Sequence, residues 1–320
     1  MKAELPLLLS FQDSRSLTEA MNHGDTVNQI NEIERLLAIG LPPVISLSSL
    51  ATMLGVSVNI IQYIVRHPSK MYDAFELKKG RKVRQISAPR VALKVIQSWF
   101  SVHLAKVIPY PNSVVGFRPG VPGVFEGASR HCQASWVLNL DIKDFFDSIN
   151  RERLKRPLLE LGYTEKSADL VLDLCTLSDQ LPQGAPSSPP LSNLAFMRTD
   201  KQLEEVCSRF KVKYTRYADD LIFSGEGEFP EGFDTEIKDV LAGNDWEMAE
   251  SKEQLVFAPK RLKVLGLIVN DAVPKLTKGY RNKVRAYKHV LSSKGSEADN
   301  FAVLQGHIAY HDSLVKFNSD

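Results

Sequence analysis

Residues 212–225, VKYTRYADDLIFSG, decide how the rest of the chain is read. Apolar, aromatic and β-branched residues crowd both sides of Ala218-Asp219-Asp220, so the stretch predicts strands at 212–217 and 221–223 joined by a carboxylate-bearing tip. Upstream, WVLNLDIKDFFDSI (136–149) opens with an apolar strand at 136–140 that ends in Asp141. A carboxylate closing a buried strand is costly to desolvate unless a cation or a hydrogen-bond network meets it. Three such groups suit Mg²⁺, a hard ion that takes carboxylate oxygen and substrate phosphate together. Two such ions about 4 Å apart can activate an attacking 3′ hydroxyl and stabilise a leaving pyrophosphate. Asp-Asp in isolation is as readily a pair of turn residues, so the surrounding sequence has to decide.

Working outward from the hairpin, helices are predicted at 151–161 and 165–177, then a Pro- and Ser-rich loop at 180–190 and a helix at 192–210. Beyond the hairpin, Asp234 reads as the cap of a helix through Leu241 that ends at Gly243-Asn244, and 262–269 reads as a strand. Toward the N-terminus, strands at 75–77 and 83–86 flank a turn at Lys79-Gly80, and 91–104 is helical. Residues 1–75 read as helical, with a break at Gly40-Leu41-Pro42-Pro43 and Ser46 capping a helix toward Leu54. SLSSLATMLGVSVNIIQYIV (46–65) has the look of helix, Gly turn, helix; that short pattern fits a DNA-reading regulator, and more often marks two packed helices. From Lys278 on, two amphipathic helices divide at 292–295. The order strand, helices, helix, hairpin, helix, strand over 136–269 predicts an antiparallel sheet with helices on one face, an α+β domain.

The 320 residues are 43% hydrophobic and 24% charged, which excludes a mainly disordered chain. No apolar run approaches the roughly 20 residues a membrane span requires, and the run at 7–9 is too short for a signal core, so the expectation is a cytoplasmic protein with no membrane partner. Cys132, Cys175 and Cys207 are odd in number and widely spaced, which suits neither a disulfide framework nor a zinc site. Net charge is only +2, but two blocks are basic and free of acids: Lys78, Lys79, Arg81, Lys82, Arg84, Arg90 and Lys94, and Lys275, Lys278, Arg281, Lys283, Arg285, Lys288 and Lys294. Each alone is as well read as a solvated face; together they suit two walls of a cleft for a phosphate backbone.

YADD (217–220), downstream of a strand ending in Asp, resembles the active-site signature of reverse transcriptases, and five further segments follow that family's order. RQISAP (84–89) and GFRPG (116–120) are similar to finger motifs that hold template and triphosphate. LPQGAPSSPPLSN (181–193) resembles the loop and helix shaping the nucleotide pocket, and LKVLGLIVN (262–270) the hairpin that grips the primer. The resemblance implies a right-hand polymerase: an N-terminal helical region at 1–75, fingers at 76–135, a palm at 136–271 with a helical insertion near 150–180, and a short helical thumb at 272–320. It implies catalytic Asp141, Asp219 and Asp220, metal ligation by these with Ile142, and two Mg²⁺ ions, with Mn²⁺ as an alternative. Deoxynucleotide triphosphates would meet Arg84, Phe146, Gln183, Gly184 and Lys252, with Arg118 a further contact. Phe146 matches the position whose ring excludes a 2′ hydroxyl, although Phe145 and Phe146 also read as core residues. Gly184 suits close backbone approach to a nucleotide. Lys252 resembles a general acid for pyrophosphate, but Glu253 follows where Thr is usual. Lys278, Arg281, Lys283, Arg285 and Lys288 would track a nucleic-acid backbone.

About fifty residues follow Asn270, short of an RNase H, endonuclease or maturase region, so a small thumb is expected. That compactness resembles the bacterial retron enzymes. Their Asn-Ala-x-x-His and Val-Thr-Gly segments have near matches in Gly127-Ala128-Ser129-Arg130-His131 and Val264-Leu265-Gly266. The resemblance implies a cognate structured noncoding RNA of the msr-msd type as partner. Part of it is copied into multicopy single-stranded DNA from a guanosine 2′ hydroxyl, in phage defence with a separate effector protein. The alternatives are an RNA-dependent RNA polymerase, an intron-like or other defence-associated reverse transcriptase, and a helix-turn-helix binding protein whose palm is structural.

Overall fold

In a computed structural model of the chain, residues 20, 27–79, 82–294 and 300–319 are described; the run at 7–9, Gly80, Arg81 and Gly295 lie outside them. The chain divides into two compact units, one of Met1–Tyr110 with Asp144–Arg198, the other of Pro111–Lys143 with Thr199–Asp320.

The first unit opens with helices α1 (Val27–Ala38), α2 (Leu47–Leu54) and α3 (Val58–Arg66). Ser46 caps α2 as predicted: its hydroxyl accepts from the Ser49 N–H at 3.1 Å, and Ser49 returns the bond to the Ser46 N–H at 3.1 Å. Gly55, at φ 65°, ends α2 in the left-handed region, and α3 leaves at a bend of 119°. No single described helix is long and apolar enough to cross a membrane. Strand β1 (Tyr72–Lys79) starts inside the stretch read as helical and pairs antiparallel with β2 (Lys82–Pro89), a longer hairpin than 75–77 and 83–86 suggested. Helix α4 (Val91–Val107) is tied to α7 (Glu165–Cys175) by buried Gln97, which donates to the Leu174 carbonyl at 2.8 Å and to the Tyr72 hydroxyl at 2.8 Å. Helix α6 (Arg151–Leu161) precedes α7, with α5 (Gly123–Ser129) falling in the second unit.

The second unit is built on a four-stranded antiparallel sheet in the order β4-β5-β3-β6. Its strands are β3 (Trp136–Asp141), β4 (Lys213–Tyr217), β5 (Asp220–Gly225) and β6 (Gln254–Phe257). Alternation assigns Trp136, Leu138, Leu140, Tyr214, Leu221 and Phe223 to one face. Helix α9 (Phe233–Gly243) covers that face, Phe233 meeting Phe223 edge-on at 5.6 Å and Trp136 at 6.2 Å. The opposite face buries Val137 and Ile222 in a cluster with Ala128 of α5 and Leu262, Val264, Leu267 and Val269. Helices α10 (Lys278–Lys294) and α11 (Phe301–Phe317) close the chain, and Leu314 of α11 joins the same cluster.

Several boundaries differ from expectation for physical reasons. Helix α8 (Ser188–Phe210) starts four positions early, because Pro189 and Pro190 occupy its first turn, where a missing N–H breaks no intrahelical bond. Asp234 does not cap α9: left-handed Gly232, at φ 79°, takes that position, and Asp234 joins Glu236 in the first turn, facing the positive helix end. The run 262–269 is not one strand. It folds into β7 (Lys263–Val264) and β8 (Leu267–Ile268) around Leu265 at φ 48° and Gly266 at φ 84°, the two positive angles of a tight hairpin turn hidden in an apolar run.

Candidate active site

Asp141 closes β3 and Asp220 opens β5, and the two are register partners across the ladder. Asp220 is therefore a strand residue; only Ala218 and Asp219 form the turn between β4 and β5. The Ile142 N–H donates to the Asp219 carbonyl at 3.1 Å, which fastens that turn to the chain leaving β3. All three carboxylates thus stand at one end of one sheet, and Ile142 between them is buried. The Lys252 ammonium forms an ion pair with Asp141, and the Ala249 N–H donates to the Asp141 carbonyl at 2.8 Å, so the loop before β6 reaches the same end. Among the described residues, no group of three or more His, Cys, Asp or Glu side chains is gathered to hold a metal unaided.

Beneath the turn lies a buried ion pair that the sequence reading passed over. Arg216 and Asp200 are each fully buried. The guanidinium grips the carboxylate through Nε at 2.8 Å and Nη2 at 2.7 Å, and Tyr214 donates to the same carboxylate at 2.8 Å. Burial pushes the Asp200 carboxyl upward, and the guanidinium opposes that shift. The remaining arm, Nη1, donates to the Ala218 carbonyl at 3.2 Å. Ala218 sits at φ 55°, a left-handed angle that costs a side-chain-bearing residue on the order of 1–2 kcal/mol, and Arg216 holds it there. The Val115 and Gly116 N–H groups donate to the Arg216 carbonyl at 3.0 and 3.2 Å, laying the GFRPG segment along β4. Gly116 is needed for that contact, since a Cβ there would lie 2.9 Å from the Ala218 nitrogen and the Tyr217 Cα. Arg118 in the same segment donates to the Pro111 carbonyl at 3.3 Å. A signal for the pair was present: Asp200 falls at helical spacing between Phe196 and Leu203, a charge on an apolar face.

His131 is the second buried polar group behind the hairpin. Its ring nitrogens lie 2.6 Å from the Ser224 hydroxyl and 2.7 Å from the Thr215 hydroxyl, bridging β5 and β4. Burial, with Lys213 and Arg130 adding to it, pushes the imidazole down to about 3, so it is neutral at physiological pH.

Of the residues expected at a nucleotide, Arg84, Phe146, Gln183 and Gly184 fall in the first unit, Lys252 and Arg118 in the second. The Ser87 N–H of β2 donates to the Gln183 carbonyl at 2.8 Å. Gly184 stands at φ 119°, and a Cβ on it would lie 2.8 Å from Ile86 Cγ2 and 3.2 Å from the Ser87 carbonyl oxygen. Its freedom is thus used to seat the loop on β2, a requirement separate from any nucleotide. Arg84 is exposed and, two residues from Ile86, projects from the same face of that hairpin. Of the two phenylalanines, Phe145 is the core residue, packed 6.0 Å from Phe196, while Phe146 is half-buried and meets Phe145 edge-on at 5.5 Å.

Residues 77–269 match the family of reverse transcriptases, RNA-dependent DNA polymerases. The retron Mx65 reverse transcriptase of Myxococcus xanthus is 30% identical over 306 residues, covering 86% of this chain and 70% of that one. The chain belongs to the retron-type reverse transcriptases. The retron Ec86 reverse transcriptase of Escherichia coli is 26% identical over 280 residues, covering 83% of this chain and 84% of the relative. Among solved structures, an apo telomerase from Candida tropicalis superposes with a TM-score of 0.48 at 11% identity, covering 65% of this chain and 48% of the other, a likeness too loose to add to the assignment. The protein is accordingly an enzyme, an RNA-directed DNA polymerase with an α+β fold.

In this reverse transcriptase the second basic block lies on α10, apart from Lys275, which precedes the helix. Lys278, Arg281, Arg285 and Lys288 recur at steps of three and four and form one exposed stripe, while Val284 on another face is buried. Lys288 is ion-paired with Asp312 of α11 at 2.9 Å. Lys283 lies off the stripe, its ammonium 5.4 Å from the Tyr287 ring. In the other block, Arg90 is ion-paired with Asp73 at 3.0 Å.

Proposed function

We propose that this reverse transcriptase copies part of a cognate structured noncoding RNA of the msr-msd type into multicopy single-stranded DNA. It starts from a guanosine 2′ hydroxyl of that RNA and acts in phage defence with a separate effector protein. The observation that carries the chemistry is the pairing of Asp141 with Asp220, with Asp219 fastened beside them. The donor set fits Mg²⁺, which typically takes one or two carboxylates and completes its shell with substrate phosphate and water rather than an all-protein cage. When bound, two such ions would make the attacking hydroxyl easier to deprotonate and stabilise the negative charge on the leaving pyrophosphate.

The chain's own residues divide the rest of the work. Asp141, Asp219 and Asp220 hold the cations, with Ile142 supplying backbone between them. Lys252, already at the Asp141 carboxylate, is assigned to give a proton to the departing pyrophosphate. Arg84 meets the triphosphate, Gln183 and Gly184 bound the nucleotide, and the Phe146 ring bars a 2′ hydroxyl. Lys278, Arg281, Lys283, Arg285 and Lys288 track the duplex backbone. Fingers at 76–135, palm at 136–271 and thumb at 272–320 follow from this assignment.

The test expresses the chain with its flanking genomic DNA and compares nucleic acid from wild type and from an Asp219→Asn, Asp220→Asn double variant, with and without RNase. The expected result is a short DNA that loses an RNA tail on RNase treatment and is absent in the variant. If no such DNA forms while purified protein extends a primer on an RNA template with Mg²⁺, the retron product is wrong and the polymerase activity stands.

A further inference from the structure

The outer edge of the catalytic sheet carries a feature the polymerase reaction does not use. Strand β6 ends the sheet order, so no described strand pairs with its outer side. Leu255 and Phe257 on it are 39% and 44% exposed. A bare apolar edge is an aggregation hazard that proteins normally blunt or cover. Beside it runs a groove of about 550 Å³ lined by Asn139, Gln254, Phe257, Lys260, Arg261 and Lys263 along with Val137, Leu255 and Val256. No carboxylate lines it. The three cations are exposed, and none has a carboxylate within salt-bridge distance among the described residues, whereas nearby Lys238 and Lys275 are each paired.

Three unpaired cations within four positions, next to an exposed aromatic ring, match one ligand chemistry. Single-stranded nucleic acid presents phosphates along one side and flat bases along the other, and proteins bind it with a basic groove and stacking rings. A peptide adding a strand to β6 would need the edge and the apolar side chains, but would leave the cations unmatched. Asn139 lies two residues before Asp141 on the same face of β3, so the groove begins roughly 7 Å along the strand from the catalytic end. We propose that the β6 groove is a second nucleic-acid site, which holds a single-stranded RNA segment with phosphates on Lys260 and Arg261 and a base on Phe257. It lies apart from the carboxylates and does not depend on the retron product proposed above; it extends the enzyme's dealings with RNA to a segment that is not being copied.

The test loads the full chain with a saturating primer–template duplex and titrates it with a fluorescent twelve-nucleotide single-stranded RNA over a range of KCl concentrations. Wild type is expected to bind the RNA in the presence of the duplex. The double variant Lys260→Gln, Arg261→Gln is expected to bind more weakly, with its log–log salt slope shallower by about 1.4, from roughly 0.7 per lost phosphate contact on a single strand. Phe257→Ala is expected to weaken binding about tenfold through lost stacking. Extension of a short primer by both variants should match wild type, which also shows that they fold. Displacement of the RNA by the duplex, or an unchanged slope in a double variant that still polymerises, overturns the site; so would binding that is lost in Phe257→Ala alone with no salt dependence, as an apolar peptide-type groove would give.

Discussion

Arg216 divides its donors between the Asp200 carboxylate and the Ala218 carbonyl, so one buried side chain both neutralises a charge and fixes the turn that carries Asp219. Removing one partner of such a pair strands the other without solvent, at a cost of about 3–5 kcal/mol. Arg216→Lys is the gentler change, because it keeps the charge and loses the planar fork that reaches both acceptors at once. We predict that Arg216→Lys folds with a lowered Tm, that its kcat falls more than tenfold with little change in dNTP KM, and that half-maximal activity needs more Mg²⁺. An unchanged Mg²⁺ requirement at lowered kcat would reduce the pair to a packing role. Phe146→Ala addresses a different residue-scale question. With its neighbour Phe145 committed to the core, the half-buried ring is free to act on substrate, and its loss should raise ribonucleotide incorporation at least tenfold relative to deoxynucleotide. Equal kcat/KM ratios for the two sugars in variant and wild type would sink the steric role. The sequence alone left both phenylalanines eligible, because two adjacent rings after a strand carry no periodicity to separate them.

At the scale of elements, the β4–β5 hairpin is stapled from behind by a neutral imidazole. Its folded pKa of about 3 lies below the ordinary value of 6.5, so between those values the unfolded chain binds a proton that the native state refuses. The contribution of His131 is therefore complete above about pH 6.5 and is lost as pH falls toward about 3, at up to ~1.4 kcal/mol per pH unit. Denaturant melts at pH 7 and pH 5 should show wild type losing stability faster than His131→Gln, which carries no titrating group; parallel losses would place the pH dependence elsewhere. The hairpin itself was legible, since aromatic and β-branched runs about an acidic turn have one reading. Strand β6 and helix α5 were missed for a shared reason. Both are short, and β6 is exposed on either side of Val256, so neither shows the alternation or the apolar stripe on which a pattern reading depends.

At the scale of the molecule, the four carboxylate-end residues Asp141, Asp219, Asp220 and Lys252 belong to one compact unit, and Arg84, Phe146, Gln183 and Gly184 to the other. The order of motifs made the family legible, because order survives in one dimension. The division into units did not follow, since it is written in contacts between residues far apart in sequence, such as Arg216 with Ser113 and Val115. The same separation governs the central strand. β3 is flanked by β5 and β6, and the last of these leaves the ribosome roughly a hundred residues after β3 does. At 5–20 residues per second that delay is roughly 5–20 s. Throughout it, Val137, Leu138 and Leu140, all buried in the native sheet, belong to a strand with at least one edge unpaired. The geometry that makes β3 the keystone of the finished enzyme also leaves that apolar strand short of one edge partner until the chain has been made as far as β6.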